Sequence, residues 1–156
     1  MSDIRARIIA YLQAHNTMTL ATEHSGIPSA CSLFYVSDDV DLYFVSETRT
    51  RHALHIEGNA SVAVTISDDH RDWRTITGIQ LEGTCLLLDA IGAARPLAWY
   101  ARKFPFVAQL GAAFASVRCY KITPRWVRLV DNTRGFGFKE ELDVTPYSSN
   151  SHTYSQ

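Results

Sequence analysis

The residues best suited to chemistry lie between Phe44 and His52, where a predicted strand ends and a predicted helix begins. The first N–H groups of a helix have no carbonyl partner, and together with the helix dipole they favour an anion. Arg51 can hold two phosphate oxygens at once, and Thr50 can donate its hydroxyl. Ala53 stands where a capping box would need Glu or Gln, so we expect these N–H groups to stay free. The pattern therefore favours a phosphate site, while an ordinary capped helix with a solvated arginine is the alternative.

The hydrophobic pattern predicts the elements that must position this junction. Apolar residues at helical spacing over 4–12 predict a short N-terminal helix that ends near His15. Alternating runs on either side of a turn at 24–26 predict a β-hairpin over 17–36. A third strand is expected at 41–46, and the three strands in succession predict an antiparallel meander that leads into the junction.

The second half of the chain predicts further strands around a helical excursion. Strand patterns occur at residues 60–67, 74–88 and 116–130. Gly78 or Gly83 is expected to bend the middle strand, because glycine within a strand often marks a bulge. The excursion is predicted to be helical over 95–103 with Pro96 in its first turn, the part of a helix that tolerates proline. This order of elements predicts the α+β class and a six-stranded antiparallel barrel with short flanking helices.

Length and composition limit the kinds of protein that this can be. The chain has 156 residues, of which 15 are basic and 16 acidic, so no net charge attracts it to nucleic acid or an anionic membrane. Without a membrane-length apolar run or a signal-peptide pattern, we expect a cytoplasmic protein. Three cysteines far apart predict neither structural disulfides nor a metal site. A single domain is expected over 1–140, followed by a polar tail over 141–156.

Several motifs resemble those of a known protein family. The run TLATEHSGIPSACSLFYVSDDVDLYFVSETRTRHALHIEGNASVAVTI, which starts at Thr19, resembles the pyridoxamine-phosphate-oxidase-like proteins, FMN-binding split barrels with TLAT, G-x-P, FYTN and S-R-K motifs. The likeness extends to about Leu88. RKFP at 102–105 and DNTRGFG at 131–137 are similar to the uncharacterised bacterial YhbP-like branch of that family. The resemblance implies a split barrel, a homodimer, and FMN bound at the subunit interface.

By position, the resemblance implies which residues contact FMN. Thr50, Arg51 and His52 occupy the Ser-Arg-Lys places and are expected to hold the phosphate. The strand residues expected to line the isoalloxazine ring are Ala30, Cys31, Ser32, Leu33 and Phe34. The residues expected to reach the second subunit's site are Asp131, Asn132 and Phe136. For this last group the alternative is a glycine-containing turn with aromatic residues packed in the dimer interface.

Departures from the family pattern limit the reaction. Ala30, Gly78 and Val130 stand where pyridoxamine-phosphate oxidases carry an arginine, a glutamine and a tryptophan, which argues against oxidation of vitamin B6 phosphates. Our leading hypothesis is a flavoprotein oxidoreductase that passes electrons from NADH or NADPH to an unidentified small acceptor, with no catalytic residue assigned. The alternatives are a noncatalytic flavin- or haem-binding sensor or carrier, and a barrel kept only as a dimeric scaffold.

Overall fold

The computed structural model describes residues 3–144, which form one curled antiparallel sheet with short helices around it. The strands are β1 (Thr17–His24), β2 (Ile27–Phe34), β3 (Val36–Asp38), β4 (Asp41–Ser46), β5 (Ser61–Ser67), β6 (Thr77–Leu87), β7 (Arg118–Asp131) and β8 (Lys139–Asp143). The helices are α1 (Ile4–Ala14), α2 (Arg51–Gly58), α3 (Ala90–Lys103), α4 (Val107–Leu110) and α5 (Ala112–Ala115), with one-turn 3₁₀ helices at Trp73–Thr75 and Asn132–Arg134. None of the helices within residues 3–144 has the length and apolar character needed to cross a membrane.

The predicted α+β split-barrel class is confirmed, but the sheet has eight strands rather than six. The two additional strands are β3 and β8, which have three and five residues. Strands this short contain too few alternations of apolar and polar residues to be recognised from the pattern alone.

The order of the strands across the sheet differs from the predicted meander. The order is β2-β1-β5-β6-β7-β4-β3, and β8 also pairs with β7. β1 and β2 form the predicted hairpin through Ser25 and Gly26, whose φ angles of 52° and 79° suit a two-residue turn. β4 pairs with β3 and β7 instead of β2, so the meander prediction was wrong. Only Tyr35 separates β2 from β3, so the two ends of this strand order lie beside each other where the sheet curls round.

Alternate strand residues and one helix face build the core. Leu42 and Phe44 of β4 and Ile122 of β7 are fully buried. α1 packs its predicted apolar stripe on the same core, with Ile8 and Leu12 also fully buried. Burial of each such side chain stabilises the fold by about 1.5–3 kcal/mol. α1 is therefore an integral part of the barrel.

A β-bulge bends β6 against β7. The pairing register of these strands shifts between Glu82 and Gly83. A Cβ atom on Gly83 would lie 2.3 Å from the carbonyl oxygen of Thr123, so only glycine fits at this close approach. Gly78 pairs regularly with Val130. The predicted bend is therefore at Gly83 and not at Gly78.

The helical excursion begins earlier than predicted. α3 starts after Asp89, whose carboxylate accepts a hydrogen bond from the N–H of Gly92 at 2.7 Å. Pro96 is consequently inside the helix rather than in its first turn, and it lies on a buried face with Ala93 and Tyr100. The predicted helix start was wrong because packing of this buried face on the sheet offsets the loss of the hydrogen bond that proline cannot donate. α3 covers the outer side of β4 and β7 through a second apolar cluster, outside the barrel core.

β8 adds a short strand beyond β7. It pairs from Lys139, opposite Val130, to Asp143, opposite Trp126. Glu141 links the two strands by accepting hydrogen bonds from the Trp126 indole and from a guanidinium on β7. The predicted domain boundary at residue 140 falls within this strand, and residues 145–156 of the predicted tail lie outside the described residues.

Candidate cofactor site

His52 joins the start of α2 to two strands. Its Nε2 atom lies 2.7 Å from Ser46 Oγ at the end of β4 and 3.1 Å from Thr50 Oγ1. Its Nδ1 atom lies 3.4 Å from the Cys31 sulfur of β2. The hydroxyls of Ser46 and Thr50 lie 3.0 and 3.1 Å from the carbonyl oxygen of Glu47, and both donate there. With the hydroxyl protons assigned in this way, the ring proton belongs on Nε2, and Nδ1 accepts from the thiol.

Burial decides the charge of this cluster. It lowers the pKa of His52 and raises the pKa of the Cys31 thiol. Both groups are neutral near pH 7, so their contact is a thiol–imidazole hydrogen bond and not an ion pair. Among residues 3–144 no group of three His, Cys, Asp or Glu side chains is arranged to hold a metal ion. The cluster thus positions a neutral imidazole beside the start of α2.

The start of α2 offers hydrogen-bond donors to an anion. Thr50 is the N-cap, and its Oγ1 accepts from the N–H of Ala53 at 3.3 Å. The expectation that every first N–H group stays free was therefore wrong for Ala53, because the threonine hydroxyl alone caps it. The N–H groups of Arg51 and His52 have no acceptor among residues 3–144. The Arg51 side chain is exposed and forms no ion pair with the described residues.

β2, which contains the residues predicted to line the flavin ring, is the last strand at one edge of the sheet. Cys31 and Leu33 turn toward the core and pack against it. Ala30, Ser32 and Phe34 are exposed on the opposite face. Of the five residues predicted to line the flavin ring, two therefore face the core and three face outward.

The outer three residues also direct their backbone groups to the open edge of the sheet. In a hairpin with a two-residue turn, every second residue exchanges hydrogen bonds with the neighbouring strand. The register of β1 with β2 assigns that role to Cys31 and Leu33. The bond from the Tyr35 N–H to the Asn16 carbonyl, at 3.0 Å, continues the same alternation. No other strand within residues 3–144 pairs with this edge, so alternate N–H and C=O groups are available to a ligand.

The residues predicted to reach the second subunit lie in the turn between β7 and β8. Asn132 is buried: its amide donates to the Trp73 carbonyl at 2.8 Å, and its Oδ1 accepts from the Gly137 N–H at 3.0 Å. Asp131 caps the adjoining 3₁₀ turn with its carboxylate. Phe136 is 82% exposed, and its ring meets that of Trp73 edge-on at 5.4 Å between centroids. Asn132 and Asp131 therefore shape the loop, and Phe136 is the side chain that it exposes.

A cleft of about 510 Å³ lies against another face of α2. Its lining residues are Thr48, Ala53, Ile56, Glu57, Cys85, Leu86, Leu87 and Tyr120. None of the predicted contact residues is among them. The cleft adjoins the candidate site without being part of it.

Two features of the site were not predicted from the sequence. One is Ser46, which is buried beside His52. Ser46 lies two residues after Phe44, and this spacing on a strand could have predicted that it shares the buried face. The contact of Cys31 with His52 joins residues 21 positions apart, and no periodicity connects them. Only the packing of α2 against β2 brings them together.

A curled antiparallel sheet with a helix start packed against its edge strand defines a split-barrel domain. The sequence model for pyridoxamine 5'-phosphate oxidase matches residues 4–131, and the chain belongs to that family. The UPF0306 protein of Enterobacter sp. strain 638 is 31% identical over 136 residues, which cover 86% of this chain and 92% of the relative. The UPF0306 protein YhbP of Escherichia coli strain SMS-3-5 is 29% identical over 134 residues, covering 85% and 88%. The resemblance to this family and to its YhbP-like branch is thus confirmed.

Solved structures share the fold at low sequence identity. The conserved hypothetical protein Rv2991 of Mycobacterium tuberculosis aligns with a TM-score of 0.73 at 18% identity, over 86% of this chain and 87% of that one. An FAD-binding protein of Mesorhizobium loti gives 0.66 at 20% identity, over 81% and 92%. HutZ, the haem storage protein of Vibrio cholerae, gives 0.66 at 15% identity, over 79% and 91%. At these identities the likeness shows the fold alone.

Proposed function

We propose that this protein is a homodimeric flavoprotein that binds FMN and passes electrons from NADH or NADPH to a small acceptor. The observation that carries the proposal is the contact of Cys31 with His52, which sets the start of α2 against β2, the strand whose other side is the open edge. A phosphate at the helix start and a planar ring along the strand edge then belong to one ligand. Membership of the pyridoxamine 5'-phosphate oxidase family and the fold shared with an FAD-binding protein support a flavin.

The start of α2 fits the phosphate of FMN. The free N–H groups of Arg51 and His52 lie where the helix dipole favours negative charge. Arg51 has no ion pair to break within residues 3–144 before it can hold two phosphate oxygens. The Thr50 hydroxyl donates to the Glu47 carbonyl and accepts from the Ala53 N–H, so Thr50 holds the helix start in place beside the phosphate. The two free N–H groups and the Arg51 guanidinium supply the charge-assisted hydrogen bonds that hold a phosphate ester.

The edge of β2 fits the planar ring. Its outward residues, Ala30 and Ser32, are small, and they leave room for a flat molecule to approach the strand. The alternating N–H and C=O groups of the edge match the donors and acceptors of a pyrimidine ring. When bound there, FMN supplies the electron-transfer chemistry, and the chain's residues bind and orient it.

A second copy of the chain completes the proposed site. Phe136 and Trp73 form an exposed aromatic surface held in place by the buried Asn132. An aromatic surface of this kind covers a flavin ring from solvent through stacking and edge contacts. In the proposed dimer it covers the cofactor bound by the other copy, as the family resemblance implies.

A noncatalytic haem or flavin carrier is the second candidate. The fold shared with HutZ favours it, as does the adjacency of the Cys31 thiol and the His52 imidazole, two groups that bind haem iron in other proteins. Titration of the apoprotein with haem tests it. A Soret shift that His52→Ala abolishes supports the carrier, and a spectrum identical to that of free haem contradicts haem binding.

The visible spectrum of freshly purified protein tests the flavoprotein proposal. Bound flavin whose absorbance NADH or NADPH bleaches, and air restores, is the expected result. Bound flavin that neither nicotinamide reduces contradicts the oxidoreductase and supports a carrier. A colourless protein that added FMN does not stabilise contradicts both and leaves a dimeric scaffold.

Arg51→Ala tests the phosphate contact. Loss of the charge-assisted bonds is expected to weaken FMN binding by about 1–3 kcal/mol in a fluorescence titration of apoprotein. Arg49→Ala is the matched control, because Arg49 is also exposed and precedes the helix. Equal FMN affinity of Arg51→Ala and the parent removes Arg51 from the site.

A further inference from the structure

An aromatic cluster closes one end of the β2 edge. The ring of Phe34, the last residue of β2, lies 5.0 Å from that of Phe104 and 5.1 Å from that of Phe106, measured between centroids. Phe104 and Phe106 are themselves 5.6 Å apart. We call these three residues the aromatic wall. Because Phe104 directly follows α3 and Phe106 precedes α4, the wall connects the helical excursion to the edge strand.

The wall lies on the face of β2 that is proposed to hold the cofactor. Phe34 shares its outward orientation with Ala30 and Ser32. Phe104 is 5% exposed and anchors the cluster, whereas Phe34 is 43% exposed and Phe106 is partly buried. The edge of β2 is thus open beside Ala30 and Ser32. At its end lie the rings of Phe34 and Phe106, which are both partly accessible.

The ammonium of Lys103, the residue before Phe104, is bound to backbone carbonyls. Lys103 donates from Nζ to the carbonyl oxygens of His15 at 2.6 Å and Tyr35 at 3.1 Å. The same ammonium lies 4.5 Å from the centre of the Tyr35 ring and 5.4 Å from that of Phe104. Burial lowers the pKa of Lys103, and the two carbonyls use most of its donors. The ammonium therefore serves to join α3 to the β2–β3 connection and is not available to an anionic ligand.

Distance along the strand connects the wall to the phosphate site. His52 meets β2 at Cys31, and Phe34 lies three residues further on, about 10 Å away at the usual rise of a strand. A ligand whose phosphate lay at the start of α2 and whose ring extended along the edge toward Phe34 would end beside the wall.

From this arrangement we propose that the aromatic wall is the subsite for the electron acceptor, and that the acceptor is an uncharged planar aromatic molecule of the quinone class. The inference rests on the proposed function, because it needs the cofactor along β2. Reduction of a quinone adds two electrons and two protons to its carbonyl groups. The nicotinamide donor supplies a hydride equivalent, and water supplies the second proton. Stacking on Phe34 and Phe106 favours a flat apolar ring. The Lys103 ammonium is already bound to two backbone carbonyls, so it does not attract a phosphate or sulfonate group.

Equilibrium dialysis of FMN-loaded protein against naphthoquinone and naphthoquinone sulfonate tests this subsite without relying on turnover. The uncharged compound is expected to bind and the sulfonate to bind more weakly. Phe106→Leu keeps apolar volume but removes the ring, and it is expected to weaken naphthoquinone binding about three- to tenfold. Ile27→Leu is the control, since Ile27 is an exposed residue at the other end of β2.

Two readouts keep this inference separate from the proposed function. Flavin absorbance of Phe106→Leu and Ile27→Leu reports FMN occupancy, which is expected to equal that of the parent. If FMN is retained while Phe106→Leu binds naphthoquinone as the parent does, the subsite proposal is overturned and the flavin site stands. Preferential binding of the sulfonate overturns it as well. If the protein takes up no FMN, the proposed function fails, and with it the acceptor subsite.

Discussion

Protonation of His52 is expected to control the affinity for FMN. In the free protein burial lowers the pKa of this imidazole, and its neighbours are uncharged: the Cys31 thiol from β2, Ser46 and Phe44 from β4, and the Thr50 hydroxyl from its own segment. The ring is therefore neutral near pH 7. A phosphate dianion at the start of α2 favours the imidazolium and raises its pKa in the complex. Binding then takes up a proton.

The size and sign of this effect follow from linkage. Between the lowered pKa of the free protein and the raised pKa of the complex, the complex holds up to one more proton than the free partners. The FMN dissociation constant consequently rises as the pH rises, by up to about tenfold per pH unit, or about 1.4 kcal/mol. Below the pKa of the free protein both states are protonated at His52, and this dependence disappears. The second ionisation of the FMN phosphate, near pH 6, has the opposite effect, because it strengthens binding as the pH rises. The contribution of His52 is therefore measured above about pH 6.5, where the phosphate is already a dianion.

Fluorescence titration of apoprotein with FMN from about pH 6.5 to 8.5 measures the effect. His52→Gln keeps a polar group but does not titrate, and it is expected to lose the pH dependence. His52→Lys supplies a permanent charge, and it is expected to hold FMN with little change across the range. Riboflavin, which lacks the phosphate, is the ligand control. If the parent and His52→Gln give the same slope of affinity against pH, the imidazole does not face the phosphate and the reasoning is refuted.

Three further changes test the framework of the site. Gly83→Ala is expected to lower the free energy of unfolding in urea by about 2–3 kcal/mol, because its Cβ would meet the Thr123 carbonyl; a loss under about 0.5 kcal/mol contradicts the rigid bulge. Lys103→Met is expected to cost about 1–3 kcal/mol by leaving two carbonyls without their donor, and Arg102→Met, at an exposed neighbour, is the control with little effect. Asn132→Ala is expected to destabilise the protein by about 1–3 kcal/mol and to speed proteolysis in the loop at 133–138; an unchanged cleavage rate shows that the loop holds its shape without the Asn132 bonds.

The sequence by itself determined the local elements and the family. The apolar stripe of α1 predicted Ile8 and Leu12 as core residues, and the turn at Ser25 and Gly26 predicted the first hairpin. The Thr50 position predicted the start of α2. These features depend on residues close together in the chain, so their spacing is visible without the fold. The family motifs added FMN as the expected cofactor, together with its contact residues.

The tertiary structure alone decided which elements meet. β4 pairs with β7, far along the chain, and leaves β2 at the edge where a ligand can reach it. The same packing sets Cys31 against His52 and Phe34 against Phe104. Such contacts depend on how the sheet curls to bury its inner face, a requirement of the whole chain that no short stretch of sequence records. For this reason the sequence predicted the phosphate-binding junction and, through the family motifs, the strand beside it. Only the fold showed that this strand forms an edge of the sheet and that the aromatic wall lies at its end.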